Sequence, residues 1–185
     1  MSLLKSAATV SGLTLVSRIT GVIRDMLIAR YFGAGAETDA FYVAFRLPNM
    51  LRRLFAEGAF QQAFVPMLSD VRETSSRERS KAFVDHVFTV LAAAVLLASV
   101  LGVLLSPLLV WAIASGMRED PAAYTLAVGL TRVMFPYIAF MSLVALAASV
   151  LNTLKHFAVP AFTPVLLNLS FIAATFFLAP MLEEP

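Results

Sequence analysis

The sequence predicts an all-α membrane protein, a polytopic bundle of about five transmembrane helices. Of its 185 residues, 59% are hydrophobic and only 14% are charged, whereas soluble domains usually carry about 25% charged residues. The mean hydropathy is +0.83. Several apolar runs also reach the roughly 20 residues needed to cross the hydrocarbon core of a bilayer. Composition and run length together therefore favour an integral membrane protein.

Composition also excludes several classes of site. The chain has no cysteine, so neither a disulfide framework nor a cysteine-based nucleophile or metal site is possible. It has only 2 histidines, which argues against a His-rich metal site. The arginines of residues 17–64 are embedded in apolar stretches instead of forming a solvated basic patch, which argues against nucleic-acid binding. We expect no catalytic residues, no cofactor, no metal and no nucleic-acid partner.

Five stretches are predicted to cross the membrane, joined by short connections. The glycines between residues 33 and 36 can end the first helix. Residues 69–81 are polar and are predicted as a loop, in which residues 72–81 could form a helix that lies at the anionic surface of the cytoplasmic leaflet. The last three spans are the most apolar, whereas the first two carry charges. The predicted spans are residues 8–32, 39–64, 83–114, 123–154 and 160–182.

The orientation of the bundle follows from the basic residues of its connections. Alternating the spans places Lys5, the basic cluster of residues 72–81 and Lys155 on one side of the membrane. The other side has mainly Arg118, which is balanced by acids. The positive-inside rule therefore predicts a cytoplasmic N-terminus and a cytoplasmic loop at residues 69–81.

The first two spans contain an unusual number of arginines. A charged side chain near the bilayer centre costs about 2.5–3.5 kcal/mol on insertion scales, so several arginines facing lipid would offset much of what the helices gain by inserting. We therefore expect a water-filled cavity lined by arginines, which would be a site for an anion. Arg18 is roughly 15 Å deep, Arg52 lies at a comparable height, and Arg24 is nearer the outer face. The arginines of these two spans are Arg18, Arg24, Arg30, Arg46, Arg52 and Arg53. Of these, Arg30 lies near a helix end and is expected to snorkel to the interface.

Other roles remain open for these charges. The arginines could form structural ion pairs or snorkel to the interface. Asp25 and Asp39 could pair with them, or Asp39 could only cap the second helix. Glu57 could pair with Arg53 one turn away. Pro48 is expected to kink the second helix, so spacing leaves open whether Arg52 or Arg53 faces the cavity.

Two polar residues in the later spans also have alternative roles. Arg132 could serve the cavity, but we favour pairing with another residue. Asn168 shares a helical stripe with Pro160 and Pro164, so that face is predicted to pack inward. For such an asparagine, an interhelical hydrogen bond is commoner than contact with a ligand.

Several motifs together resemble the MurJ (MviN) lipid II flippase family. The longest is the run DAFYVAFRLPNMLRRLFAEGAF at residues 39–60, and the resemblance covers essentially the whole chain from Leu3. The further motifs are Ser17 to Gly21 with Arg24 and Asp25, Phe64 to Pro66, Asn152 and Thr153, and Pro164 to Asn168.

The resemblance implies the N-terminal lobe of a flippase of the multidrug/oligosaccharidyl-lipid/polysaccharide exporter superfamily. Such proteins have two pseudo-symmetric helical lobes around a central cavity. The MurJ family itself moves lipid II, the undecaprenyl-diphosphate-linked peptidoglycan precursor, from the inner to the outer leaflet of the bacterial cytoplasmic membrane. The matched positions for a cationic, diphosphate-binding cavity are Arg18, Arg24 and Arg52, with Asp39 also functionally important. Supporting or coupling roles are then expected for Ser17, Gly21, Asp25, Asp39, Asn49, Arg53 and Glu57.

The resemblance also sets further expectations. Family members are much longer, and this chain ends at Glu183 to Pro185 after the fifth span, so we expect a fragment that lacks the second lobe. Alternating access would carry the headgroup through the cavity while the tail stays among membrane lipids. The membrane potential or a monovalent ion could drive it.

Two rival functions remain. One is an exporter of drugs or of another polyprenyl-diphosphate-linked oligosaccharide on the same scaffold, although a drug exporter would favour acidic and aromatic cavity residues. The other is an enzyme acting on polyprenyl diphosphates. Such chemistry normally needs clustered carboxylates that bind Mg²⁺. Because Asp25, Asp39 and Glu57 are scattered along the sequence, we expect a transporter.

Overall fold

The computed structural model describes residues 3–33, 35–52 and 59–181, and the chain is helical through almost all of them. Within these ranges there is no strand, which confirms the all-α prediction. A 3-10 helix (Ser115–Glu119) joins α5 to α6, and a π-helical turn (Ala174–Leu178) and a 3-10 turn (Ala179–Met181) follow α8. The α-helices are α1 (Leu3–Phe32), α2 (Ala36–Arg52), α3 (Ala59–Thr74), α4 (Arg77–Leu104), α5 (Ser106–Ile113), α6 (Pro121–Met134), α7 (Tyr137–Thr153) and α8 (Ala158–Ala173).

Local sequence signals set the ends of α1 and α6. Gly33 follows the last residue of α1 with a φ of 66°, the left-handed conformation in which glycine commonly ends a helix. Before α6, Asp120 Oδ1 accepts hydrogen bonds from the backbone N–H groups of Ala122 and Ala123 at 3.0 and 3.1 Å. Pro121 then occupies the first helical position, where its missing N–H removes no helical hydrogen bond.

Two helix boundaries differ from the sequence prediction. Helix α2 begins at Ala36, so Asp39 lies inside its first turn and does not cap it. A carboxylate in the first turn is still favoured by the helix dipole. Residues 69–81, predicted as a loop, are helical on both sides of a turn at Ser75 and Ser76. Ser76 begins the second of these two helices: its Oγ accepts a hydrogen bond from the backbone N–H of Arg79 at 3.3 Å and so caps α4.

Three helical runs among the described residues are long and apolar enough to cross a membrane. They are Arg77–Leu104, Pro121–Thr153 and Ala158–Met181, and they lie where the third, fourth and fifth spans were predicted. The 30-residue helix α1 is also long enough to cross a membrane, although it is not one of these three runs. Its interior carries the charged residues Arg18, Arg24 and Asp25.

The chain divides into two compact units. One comprises Met1–Gly35 with Leu154–Pro185, and in it α1 packs along α8. The other comprises Ala36–Thr153 and contains α2 to α7. The first unit thus joins two segments that are far apart in sequence.

The second unit has a core of three apolar clusters. One joins α3, α4 and α7 through buried residues such as Phe64, Val95 and Leu146, and the Phe64 ring stacks on Phe83 with centroids 5.9 Å apart. A second joins α2, α5 and α6. The third joins α2 to Phe135, which lies between α6 and α7. The buried members of the second cluster are Ala40, Val110, Ala127 and Val128.

Candidate functional site

Arg18 lies at the middle of α1. The helix has 30 residues, so it is about 45 Å long and Arg18 is more than about 20 Å from either end. The Arg18 side chain is exposed, and it forms no hydrogen bond or salt bridge with any residue in the described part of the chain. Its guanidinium group therefore keeps all five N–H donors available.

Arg24, six residues further along, is held by three groups. Its Nε and Nη2 both donate to Asp25 Oδ1, at 2.9 and 2.8 Å. Its Nη1 donates to Asn168 Oδ1 on α8 at 2.8 Å. The Phe171 ring lies beneath the guanidinium, with the Arg24 Cζ 5.8 Å from the ring centroid, within the range of a cation–π contact. Of the roles left open for Asp25, the structure shows pairing with an arginine.

Asn168 is the centre of this contact between α1 and α8. It is 6% exposed, and its Nδ2 donates to the backbone oxygen of Ser17 at 2.9 Å and to Thr20 Oγ1 at 3.2 Å. The predicted interhelical hydrogen bond is therefore confirmed. Sequence reasoning did not identify Asn168 as the partner of Arg24; the stripe that it shares with Pro160 and Pro164 was the signal available.

Two supporting residues of the prediction lie at the same contact. Gly21 faces Asn168: a Cβ added to the glycine would lie 3.5 Å from Asn168 Nδ2, at ordinary van der Waals distance. Ser17 is half-buried and contributes its backbone oxygen to the network. The structure thus brings together Ser17, Gly21, Arg24 and Asp25 around a residue of α8.

The remaining predicted residues belong to or follow α2. Asp39 is exposed in the first turn of α2, Asn49 is half-buried near its end, and the helix ends at Arg52. Arg53 and Glu57 lie outside the described residues, so the choice between Arg52 and Arg53 stays a sequence prediction. Among described residues the only salt bridge is that of Arg24 with Asp25, so the Asp39–Arg46 pair considered from the spacing is absent.

Arg132 is a further arginine within an apolar helical run. It lies in α6, and its Nε donates to the buried Ser106 Oγ at 3.0 Å. Arg132 therefore has a partner, as predicted, and that partner is a neutral hydroxyl group. In the described part of the chain, no group of three His, Cys, Asp or Glu side chains could hold a metal ion.

The outer surface of the helices is rich in large apolar side chains. Met26 on α1 is 67% exposed and Val133 on α6 is 79% exposed, and many further leucine, valine and phenylalanine side chains are also exposed. Apolar surface of this extent, together with three membrane-crossing helical runs, requires lipid around it. The fold thus defines a multi-pass α-helical membrane protein that carries arginines in the middle of a long helix.

Comparison with known proteins gives the family. A sequence model of the family described as "Lipid II flippase MurJ" matches residues 28–185. The chain is 56% identical over 185 residues to the lipid II flippase MurJ of Burkholderia cenocepacia, a match that covers 100% of this chain and 36% of that protein. It is 47% identical over 178 residues to the probable lipid II flippase MurJ of Rhizobium tropici, covering 96% of this chain and 33% of that protein. The chain belongs to the lipid II flippase MurJ family.

A solved structure agrees with this assignment. The structure, described as lipid II flippase MurJ in an inward closed conformation, matches with a TM-score of 0.77 and 34% identity, covering 92% of this chain and 36% of that chain. The family consists of flippases, which are transporters and not enzymes. The chain spans about a third of the length of these relatives.

Proposed function

We propose that this chain is the N-terminal lobe of a bacterial lipid II flippase, which moves the lipid-linked peptidoglycan precursor from the cytoplasmic to the outer leaflet. The names of the relatives support the substrate. The observation that supports the site most directly is the position of Arg18. Its guanidinium group lies at the middle of a 30-residue helix without a partner among the described residues. Such a charge needs water or an anion at bilayer depth.

The proposed ligand of the arginines is the diphosphate of the lipid. The planar guanidinium fork donates paired, charge-assisted hydrogen bonds to phosphate oxygens. Arg18 offers all its donors, and Arg24 is held on α1 with part of its donors free. Arg52 enters the proposal through the family resemblance. The sugar-peptide headgroup would occupy a water-filled cavity, and the polyprenyl tail would stay among membrane lipids.

Transport would then proceed by alternating access. The site would open first to the cytoplasm and then to the outside as the second lobe of the complete protein moves against this one. A membrane potential that is negative inside favours outward movement of an anionic headgroup, by about 2.3 kcal/mol per charge per 100 mV. The potential or a monovalent ion is therefore the proposed energy source, and no cofactor takes part.

The proposed location is the bacterial cytoplasmic membrane with the N-terminus in the cytoplasm. The support is the distribution of basic residues: Lys5, the cluster at residues 72–81 and Lys155 fall on one side when the spans alternate. A thiol-labelling experiment on Lys5→Cys in intact cells tests the orientation, because an impermeant reagent should not reach a cytoplasmic residue.

Replacement of the arginines tests the cationic site. In the full-length protein, Arg18→Ala, Arg24→Ala and Arg52→Ala should each abolish growth of cells that depend on this flippase for cell-wall synthesis. Arg30→Ala is the matched control, because Arg30 is also an exposed arginine of α1 but lies in its last turn, where a cation is favoured by the helix dipole. Normal growth of all three variants at wild-type expression would contradict the proposal.

A further inference from the structure

We propose that Asn168 is the positioning residue for Arg24. Its side-chain oxygen would hold the guanidinium group on the α8 side of α1 in one orientation and leave other donors free for a diphosphate. The contact is short, because Arg24 Nη1 donates to Asn168 Oδ1 at 2.8 Å. This inference rests on the proposed function, in which Arg24 binds the diphosphate, and it says what sets the orientation of that arginine.

The neighbours of Asn168 fix the orientation of its amide. The two ends of an amide have almost the same shape, so hydrogen-bond partners decide which end faces which group. Nδ2 donates to the backbone oxygen of Ser17 and to Thr20 Oγ1. The Ser17 oxygen can only accept, and Thr20 Oγ1 uses its own proton toward the backbone oxygen of Val16 at 2.9 Å. The reversed amide would lose these bonds, so the amide oxygen faces Arg24.

Asn168 holds Arg24 without cancelling its charge, because an amide is neutral. The sequence of α8, residues 158–173, contains no ionisable side chain. The only acid that contacts Arg24 among the described residues is Asp25, whose side chain is 64% exposed. An exposed carboxylate is hydrated and screened, so an incoming diphosphate can displace it. The buried amide would remain in place.

The count of donors leaves room for a ligand. A guanidinium group has five N–H donors. Arg24 uses one on Nε and one on Nη2 for Asp25, and one on Nη1 for Asn168, three in all. Two N–H donors remain, one on each terminal nitrogen, and these can donate to phosphate oxygens. Holding the guanidinium group in one orientation before binding lowers the entropy lost when the ligand binds.

Direct binding measurements on the full-length protein test this role. The protein in detergent micelles is titrated with farnesyl diphosphate, a short polyprenyl diphosphate, at a series of pH values. Arg24→Ala is the reference for loss of the arginine itself. Asn168→Leu should weaken binding by about tenfold, the effect expected from loss of one hydrogen bond that orients a charged group. Ser170→Ala is the control, because Ser170 is exposed on α8 and its hydroxyl donates only within its own helix, to the Leu166 oxygen.

Asn168→Asp separates positioning from simple helix packing. At neutral pH the introduced carboxylate pairs with Arg24, repels the diphosphate and raises the Kd relative to wild type. Protonation of the introduced carboxylate at low pH removes that charge. The ratio of the Kd of Asn168→Asp to the Kd of the wild type should therefore fall as the pH falls. Asp25 and Arg18 are the other charged groups on this part of α1, and both are present in the wild type as well as in the variant. A residue that does not contact Arg24 in the protein that binds the diphosphate would leave this ratio independent of pH.

The outcomes distinguish the two proposals. If Arg24→Ala binds farnesyl diphosphate as tightly as wild type, the cationic site of the proposed function is wrong. If Arg24→Ala weakens binding and both Asn168 variants bind like wild type at every pH, the positioning role is overturned. A pH-dependent Kd ratio for Asn168→Asp supports the role even if Asn168→Leu fails to fold.

Discussion

Gly102 provides the sharpest test of how the second unit is packed. It is a buried residue of α4, and a Cβ added to it would overlap the ring of Phe135. Phe135 is itself only 1% exposed and belongs to a buried cluster with Leu47 and Ile138. Because the ring is almost fully buried, Gly102→Ala must displace the ring within the core, α4, or the segment between α6 and α7.

The expected cost follows from two opposing terms. Overpacking of a tightly packed core costs about 1–3 kcal/mol, and this overlap involves a backbone-fixed Cβ, so we take about 3 kcal/mol. Alanine is a better helix former than glycine by about 1 kcal/mol. The net destabilisation is therefore about 2 kcal/mol, which would lower the Tm by about 4–8 °C if unfolding behaves as in a domain of this size.

Gly129→Ala is the matched control for this substitution. Gly129 is an exposed residue of α6, and a Cβ added to it meets no atom within 4 Å. Its replacement should be neutral or stabilise the helix by up to about 1 kcal/mol. Thermal unfolding of the purified variants, followed by far-UV circular dichroism, gives the comparison. Equal Tm values for Gly102→Ala and Gly129→Ala would refute this account of the packing.

Two further substitutions test contacts of the second unit. Ser106→Ala removes the buried hydroxyl that accepts a hydrogen bond from Arg132 Nε, so it should lower the free energy of unfolding by about 1–3 kcal/mol. The control Ser115→Ala changes an exposed serine and should leave the Tm unchanged. An unchanged Tm in both variants would mean that the hydrogen bond contributes nothing to stability. Arg118→Leu removes the guanidinium group whose Cζ lies 4.1 Å from the Trp111 ring centroid. The tryptophan fluorescence emission should therefore shift, and the free energy of unfolding should fall by about 0.5–1 kcal/mol. An unaltered emission spectrum would show that the two side chains are not in contact in solution.

The class of fold was predictable because it depends on composition and local signals. The last three spans are apolar enough to be found by hydropathy alone, and Gly33 ends α1 at the predicted place. The start of α2 was misjudged because Asp39 is a good capping residue, yet the helix already begins at Ala36 and places Asp39 in a first turn that also favours acids. The polarity of residues 69–81 predicted a loop and left open a helix at the membrane surface, and the structure shows helices on both sides of a short turn.

The candidate site was predictable only in part. The Arg24–Asp25 pair joins neighbours in the sequence, so it could be anticipated. The bond from Arg24 to Asn168 joins residues 144 positions apart and depends on the packing of α1 against α8, which no local pattern specifies. Arg132 was expected to pair, but its acceptor, Ser106, became evident only once α5 and α6 were placed side by side.

The central claim is that the arginine positions of α1 face water at bilayer depth. The most direct measurement is the reaction of Arg18→Cys and Arg24→Cys with a membrane-impermeant thiol reagent, in full-length protein that has no other cysteine. Ile23→Cys is the control, since Ile23 is an exposed apolar residue about 140° around the helix from Arg18. Labelling is expected at positions 18 and 24, where a polyprenyl diphosphate should block it, and none is expected at position 23. Equal labelling of all three positions, or no labelling at 18 and 24 until the protein is denatured, would contradict it.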